Sequence, residues 1–320
     1  MKNKTVFYAF MVMIALIIII ILSIDLDDNT GKNGKKKDEF SYTPLMYKVC
    51  DSDSCIYLLG SIHLGDDRVT KFNDSVIDAY NDSDILAVEL EYELDDVAME
   101  DMYLEDGKLV KELISDELDR KLKKFSEEHP LFSYDLYNNL KLGYLNTILS
   151  VIPYMELGYM NPGVDSYFID LAHGDKKEII SLETYEEQMK LLLNNSDEFY
   201  IKQIEDIIDN YDDYKEEAIT LYDTYLKGDE DKLKDFVSIS LTGDETEEER
   251  QYIEAMYDDR NKKMTDRVKE FLETNQKVFM TVGAAHVSGS NGIIDRLGSD
   301  YKVSIVKWVN LVIYLFVEKK

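Results

Sequence analysis

Histidine is scarce in this sequence, and two of its four histidines stand in the same short frame. The stretch VFMTVGAAHVSGSNGIID contains a strand-forming run that ends at Gly283, and His286 follows it closely. The stretch CIYLLGSIH repeats this Gly-x-x-His frame with Gly60 and His63. A glycine in such a place lets the chain turn sharply or lets another group approach it. One such histidine is commonly structural, but two in matched frames favour a functional site.

Two glutamates follow apolar runs in the same way. ILAVELE places Glu89 directly after Val88, and EIISLET places Glu183 directly after Leu182. In open α/β sheets, ligand sites gather at the carboxyl ends of the strands. If the four runs form neighbouring parallel strands, two imidazoles and two carboxylates converge on one crevice.

Two imidazoles with one or two carboxylates are a usual donor set for a catalytic divalent metal ion, zinc included. Such an ion lowers the pKa of a bound water and polarises a carbonyl, while a further carboxylate serves as general base. We therefore predict four residues as metal ligands and catalytic groups: His63, Glu89, Glu183 and His286. A metal-free scheme, with one histidine as general base, uses the same residues, and the sequence does not separate the two schemes.

The other two histidines and one arginine have different surroundings. His129, in EEHPLF, is interpreted as a surface residue, and His173, in LAHGDKK, as lying near a helix C-terminus, where positive charge is favourable. Arg260 lies in YDDRNKKMTDRV, which has a helical pattern. It either pairs with an acid on the helix surface or points into the crevice, where it would hold a substrate carboxylate or an oxyanion.

Strand-like and helix-like runs alternate along the chain, which predicts an α/β sheet domain with flanking helices. A large helical insertion is expected at about residues 97–160, between two of the strands. The strand-like runs are residues 45–49, 56–59, 85–88, 178–182, 278–282 and 303–306. Apolar residues recur at helical spacing within 69–80, 201–208 and 214–225.

The charge balance limits the classes of partner. The 320 residues include 65 acidic and 36 basic ones, for a formal net charge of −29. With no basic patch to offset this, nucleic acid is excluded as an expected partner. Divalent metals and basic peptides would be attracted, although the acidic residues also serve simply to solvate exposed helices.

The N-terminus predicts a membrane anchor. Thr5 to Ile24 carry no charge, and twenty such residues span roughly the 30 Å of a bilayer core as a helix. The run is long and lacks a good cleavage site, so an uncleaved anchor at residues 1–24 is favoured over a signal peptide. Lys2 and Lys4 precede it, but further lysines follow it, so the positive-inside rule indicates an extracytoplasmic domain only weakly.

The remaining segments complete the predicted organisation. Residues 25–40 are polar and charged and are expected to form a linker, followed by the α/β domain at 41–307. Residues 308–320 are apolar over too short a length for an ordinary transmembrane helix, and their role stays open. Cys50 and Cys55 flank a four-residue polar turn, where they either bridge across a hairpin or remain free thiols.

Seven short blocks of the sequence resemble the TraB/PrgY/GumN family, which also includes the Tiki proteases. The paired Gly-x-x-His frames are the family's most specific mark, and His63 and His286 lie on them. The blocks follow the family's order from about residue 45 to 306: YLLGSIHLG, AVELE, NPGVDSYF, SLETYEEQ, YLKGD, DDRN and TVGAAHVSGSNGII. In YLKGD, Tyr225 stands where the family usually has an aromatic residue, often tryptophan.

The resemblance also implies roles for residues outside the two frames. Glu89 falls on the glutamate that directly follows the strand in the second block. Glu183 falls on the first glutamate of the fourth block. Arg260 falls on the arginine of DDRN, where we expect it to act in the crevice. Three further polar residues fall on family positions and are expected to bind the substrate: Asp165, Gln188 and Asn261.

From this resemblance we expect a fold similar to the erythromycin-esterase and ChaN-like group. Tiki proteases are membrane-tethered and use manganese or cobalt, although their anchor is C-terminal, and PrgY-type members limit peptide pheromone activity. The resemblance therefore implies a single-pass cell-membrane protein with an extracytoplasmic, metal-dependent peptidase or related hydrolase domain that acts on peptides or proteins. The alternative is a module of the same fold that binds a peptide and sequesters it without cleavage.

Overall fold

The computed structural model describes Tyr42 and residues 44–91, 102–238, 243–289 and 291–306. The predicted anchor, the linker and the apolar C-terminal segment lie outside these residues. Among the described helices, none combines the length and the hydropathy needed to cross a bilayer.

The described residues form eight strands and a larger number of helices. The strands are β1 Met46–Cys50, β2 Cys55–Ser61, β3 Leu64–Gly65, β4 Ile85–Val88, β5 Asn161–Pro162, β6 Glu178–Ser181, β7 Val278–Gly283 and β8 Lys302–Ile305. The α-helices are α1 Asp74–Asn81, α2 Asp116–Glu128, α3 Tyr134–Tyr137, α4 Leu142–Glu156, α5 Val164–Asp175, α6 Tyr185–Leu193, α7 Asp197–Asp209, α8 Tyr211–Lys227, α9 Glu230–Val237, α10 Glu247–Ile253, α11 Arg260–Glu273, α12 Ala284–Ser288 and α13 Ile293–Leu297. A π-helical turn, Glu254–Asp259, connects α10 to α11.

Six strands form one mixed sheet in the order β6-β4-β7-β2-β1-β8. The first four are mutually parallel, and β1 is antiparallel to both β2 and β8. Val88 pairs with Ser181 and with Thr281, and Ser61 pairs with Gly283, so the carboxyl ends of the parallel strands meet at one edge. The predicted α/β sheet with flanking helices is confirmed, as is the parallel arrangement of the four strands that precede the candidate residues.

The extent to which each strand or helix is buried matches how apolar its sequence is. The central strands β4 and β7 are buried along their whole length, as expected for parallel strands covered on both faces, and their sequences are correspondingly apolar. Helix α4 is buried on every side over Leu142–Met155, which matches a sequence that is apolar all round. The described part of the predicted helical insertion contains α2, α3 and α4.

The β1–β2 hairpin settles the alternatives for the two cysteines. Cys50 and Cys55 face each other in register at the end of the hairpin and form a disulfide. Asp51 shapes the intervening turn, because its Oδ1 accepts hydrogen bonds from the N–H groups of Asp53 and Ser54, at 2.8 and 2.7 Å. The hairpin is therefore closed covalently as well as by backbone pairing.

A close backbone approach holds the segment that carries His63. The N–H of Gly163 donates to the carbonyl of His63 at 3.0 Å, and the N–H of Val164 donates to the carbonyl of Ile62 at 3.1 Å. A Cβ on Gly163 would lie only 1.9 Å from the carbonyl oxygen of Ile62. Glycine is therefore required at this point for the start of α5 to dock against the chain after β2.

We expect Gly163→Ala to lower the free energy of unfolding by about 1–3 kcal/mol, because the added carbon forces the two backbones apart. Gly174→Ala, in the last turn of the same helix, is the matched control, since a Cβ there meets no atom within 4 Å. The control should be neutral or gain up to about 1 kcal/mol of helix propensity. Urea unfolding followed by circular dichroism measures both, and equal midpoints would contradict the proposed close approach.

Candidate active site

His63 lies just beyond β2 and is held from behind by a carboxylate. Its Nδ1 lies 2.8 Å from Oδ2 of Asp165, and both side chains are largely buried, at 10% and 14% exposure. Asp165 is in the first turn of α5, where the helix dipole favours a negative charge. With the Nδ1 proton donated to this carboxylate, Nε2 presents its lone pair on the opposite side of the ring.

His286 lies in α12, directly after β7, and is completely buried. Its Nδ1 lies 2.6 Å from Oδ1 of Asn261, whose Nδ2 donates to the carbonyl of Asn291 at 3.1 Å. The amide must therefore accept from the ring, so the proton is on Nδ1 and the lone pair is on Nε2. Nε2 is buried and has no hydrogen-bond partner within the described part of the chain.

Burial keeps the His286 imidazole neutral. It lowers the pKa of His286 well below its ordinary value of 6.5, and the positive charge of Arg260, with that of His63 whenever His63 is protonated, lowers it further. A neutral imidazole with a free Nε2 lone pair is the form that binds a metal ion or accepts a proton.

Glu89 follows β4 and is held by two donors. Its Oε1 accepts from the backbone N–H of Gly283 at 2.6 Å, and its Oε2 accepts from Nη2 of Arg260 at 2.8 Å. Burial raises the pKa of the Glu89 carboxyl, and the neighbouring Arg260 charge partly opposes this. The sequence indicates that Gly283 allows a turn or a close approach, and it does not identify the Gly283 N–H as a donor to Glu89.

The three strand-end groups share one small space above Gly283. A Cβ built on this glycine would lie 3.2 Å from Oε1 of Glu89, 3.7 Å from Nε2 of His63 and 3.6 Å from Cδ2 of His286. Nε2 of His286 is 4.0 Å from the same oxygen of Glu89. Any side chain at Gly283 would occupy this space, so the glycine of the second Gly-x-x-His frame keeps it open.

Arg260 points into the protein interior and pairs with two carboxylates. Its Nε and Nη2 donate to the two oxygens of Glu183 at 2.6 and 2.7 Å, in addition to the bond to Glu89. Arg260 is 4% exposed, so the surface alternative for this residue is wrong. Its Nε and Nη2 donors are engaged by protein carboxylates, while Nη1 faces the carbonyl of Met256, so Arg260 is a positioning group for the two carboxylates.

The structure gives Glu183 a different environment from that of Glu89. Both of its oxygens face Arg260, and one also accepts from Nε2 of Gln188 at 3.1 Å. The four predicted ligands are therefore not assembled as one set. In the described part of the chain, no three His, Cys, Asp or Glu side chains form a ready metal-ligand cluster.

The residues expected to bind substrate lie one layer behind the strand-end groups. Asp165 contacts His63, Asn261 contacts His286, and Gln188 contacts Glu183. The geometry thus gives each of them an orienting contact. No local pattern indicates the Asp165–His63 and Asn261–His286 contacts, because each joins residues far apart in the sequence, whereas Gln188 and Glu183 lie in one short block.

The two remaining histidines lie away from this cluster. His173 is in the last turn of α5, as predicted, and its exposed side chain pairs with Glu91. His129 is more enclosed than predicted, with its Nδ1 2.8 Å from Oε1 of Glu156 and its ring against Phe125 and Tyr211.

The fold and this cluster define an α/β protein in which two Gly-x-x-His frames and a glutamate meet at the carboxyl ends of parallel strands. The chain matches the TraB/PrgY/gumN family over residues 45–304, which is most of its length, and it belongs to that family. No curated protein and no solved structure matches the chain.

Removing the buried positive charge of Arg260 should destabilise the fold. We expect Arg260→Met to destabilise the protein by about 3–5 kcal/mol, because two buried carboxylates lose their partner. Lys263→Met, on the same helix, breaks only the exposed pair with Glu187 and should cost less than about 1 kcal/mol. Urea unfolding of both variants tests this, and a similar small loss in each would show that Arg260 is not the partner on which the carboxylates depend.

Proposed function

We propose that this protein is a membrane-anchored, metal-dependent hydrolase, most consistent with a peptidase, whose reaction takes place above Gly283. The observation that carries the proposal is the convergence of the His63 and His286 imidazoles and Glu89 around Gly283. Asp165 and Asn261 orient the imidazoles so that both Nε2 atoms offer lone pairs. A fold akin to the erythromycin-esterase and ChaN-like group, expected from the family resemblance, belongs to this proposal.

The residues present fit a divalent cation in donor type. His63 and His286 would supply Nε2 atoms and Glu89 would supply Oε1, a combination of imidazole and carboxylate ligands found at catalytic metal centres. Manganese or cobalt is suggested by the family resemblance, and zinc would also suit these donors. When bound, the ion would lower the pKa of a water molecule and polarise a substrate carbonyl.

Charge supports the same proposal. With neutral imidazoles, Asp165, Glu89 and Glu183 contribute three negative charges and Arg260 one positive charge, so the cluster carries a net charge of −2. A buried excess of negative charge is costly unless a proton or a cation compensates for it. Burial is the main cause of the raised pKa of Glu89, and the negative charges of Glu183 and Asp165 add to it.

The chain's own groups would then have distinct tasks. Asp165 and Asn261 hold the Nδ1 protons and so fix the direction of both rings. Arg260 and the Gly283 N–H hold Glu89 so that its Oε1 lies beside the two imidazoles, where it would serve as the carboxylate ligand of the ion. Glu183, which also accepts from Gln188, fixes Arg260 from the other side.

We expect His63→Ala and His286→Ala to lose metal binding and peptide cleavage together. The purified full-length chain is incubated with a diverse peptide library, with and without manganese or cobalt, and products are identified by mass. Bound metal is quantified separately by elemental analysis. His173→Ala is the matched control and should retain both properties, because its side chain is exposed and pairs with Glu91, which is not one of the proposed ligands.

The outcomes separate the candidate functions. Cleavage by His63→Ala at the wild-type rate would refute the proposed site. Cleavage that needs no added metal and survives a chelator would favour the metal-free scheme with a histidine base. Tight binding of a peptide whose mass stays unchanged would favour sequestration of the peptide.

The proposed location is the cell membrane, with residues 1–24 as the anchor and the domain outside the cytoplasm. In intact cells that express the full chain, added protease should digest the domain while a cytoplasmic marker survives. A chain lacking residues 1–24 should leave the membrane fraction. Protection of the domain until the cells are lysed would reverse the proposed orientation.

A further inference from the structure

An apolar cavity of about 70 Å³ adjoins the candidate active site. His63 and Gly283 form part of its wall, and most of the remainder is apolar, from the end of β2, from α8 and α9, and from the start of α12. We infer that this cavity is the subsite that receives one apolar side chain of the peptide, next to the bond that is cleaved. The inference rests on the proposed peptidase function and adds the class of residue that the site selects.

The size of the cavity suits a single aliphatic side chain. A cavity volume of about 10–15 Å³ holds one water molecule. This cavity therefore has room for roughly five waters, or for a side chain of four or five heavy atoms. Leucine, isoleucine and methionine side chains are of that size. Charged side chains would lose their hydration in this lining without gaining partners.

The cavity is built from small residues where large ones would fill it. Gly283, Ala284 and Ala285 follow one another in its wall, from the last residue of β7 to the residue before His286. Protein interiors leave few voids larger than a water molecule, so an apolar space held open by three consecutive small residues beside reactive groups indicates a binding site. The outer wall includes Phe236 and Val237, both partly exposed, so the cavity reaches the molecular surface there.

One polar atom in the wall supports a peptide as the occupant. Ser61 is buried at the end of β2, and its Oγ has no hydrogen-bond partner within the described residues. Buried hydroxyl groups are normally hydrogen-bonded. A peptide whose side chain enters the cavity would bring a backbone N–H or carbonyl to this hydroxyl, which a purely apolar ligand would not.

The test measures which residues the protein prefers next to the cleaved bond. The full-length protein is given the peptide library, and mass spectrometry reports which residues flank the cleaved bonds. At the flanking position with the strongest bias, matched peptides carry leucine, alanine or aspartate. Leucine should exceed alanine in kcat/KM by about 10- to 100-fold, as expected for several methylene groups in an apolar pocket, and aspartate should be the poorest.

Two variants then link the preference to the cavity. Val237→Trp adds bulk at the rim and should remove the advantage of leucine, while Phe236→Ala should extend the preference toward larger residues. Asp235→Trp is the matched control, because this exposed residue of α9 does not line the cavity. Thermal unfolding confirms that each variant is folded.

The possible failures are distinguishable. If peptides are cleaved but leucine and alanine are equivalent, or if Val237→Trp keeps the wild-type preference, the subsite is refuted and the peptidase function stands. If nothing is cleaved, the peptidase function fails, and the cavity is tested by fluorescence anisotropy with labelled peptides that carry leucine, alanine or aspartate at one otherwise identical position. A leucine preference in binding that Val237→Trp removes supports the cavity as a recognition pocket, and equal binding or no binding overturns it.

Discussion

The site depends on one buried ion pair network, in which Arg260 holds Glu89 and Glu183. Burying three charged groups costs several kcal/mol per ion, and the cost is recovered only where the geometry is good and the remaining hydrogen bonds are made. Here Arg260 bonds both oxygens of Glu183 and one of Glu89, while Gly283 and Gln188 bond the carboxylates further. The network ties α11 to the residues that follow β4 and β6.

The same network sets the electrostatic state of the histidines. The Arg260 charge and complete burial both disfavour protonation of His286, so its Nε2 lone pair is available at neutral pH. Arg260 also restrains the rise in the pKa of Glu89 that burial causes. One arginine therefore keeps a neutral imidazole and a carboxylate side by side, which is the combination that the proposed chemistry requires.

The sequence was sufficient for the strand ends and insufficient for the contacts behind them. Apolar runs followed by His63, Glu89 and His286 could be located because strand periodicity and glycine placement are local properties. The partner of each group is not local, since Asp165 is 102 residues from His63 and Arg260 is 77 residues from Glu183. Whether Glu183 joins the imidazoles or the guanidinium depends on how α11 packs against the sheet, and no local pattern encodes that choice.

The Arg260–Asn261 pair shows why neighbouring residues on one helix serve two strand ends. Successive residues of an α-helix point about 100° apart, because a turn contains 3.6 residues. Arg260 therefore reaches the carboxylates beyond β4 and β6, while Asn261 reaches His286 beyond β7. The π-helical turn Glu254–Asp259 ends immediately before this pair, and such a turn shifts the phase of every residue that follows it in the helix. Both contacts therefore depend on the rotational phase of α11. Through Arg260 and Asn261, this one helix orients the Glu89 carboxylate and the His286 imidazole, which the site brings together.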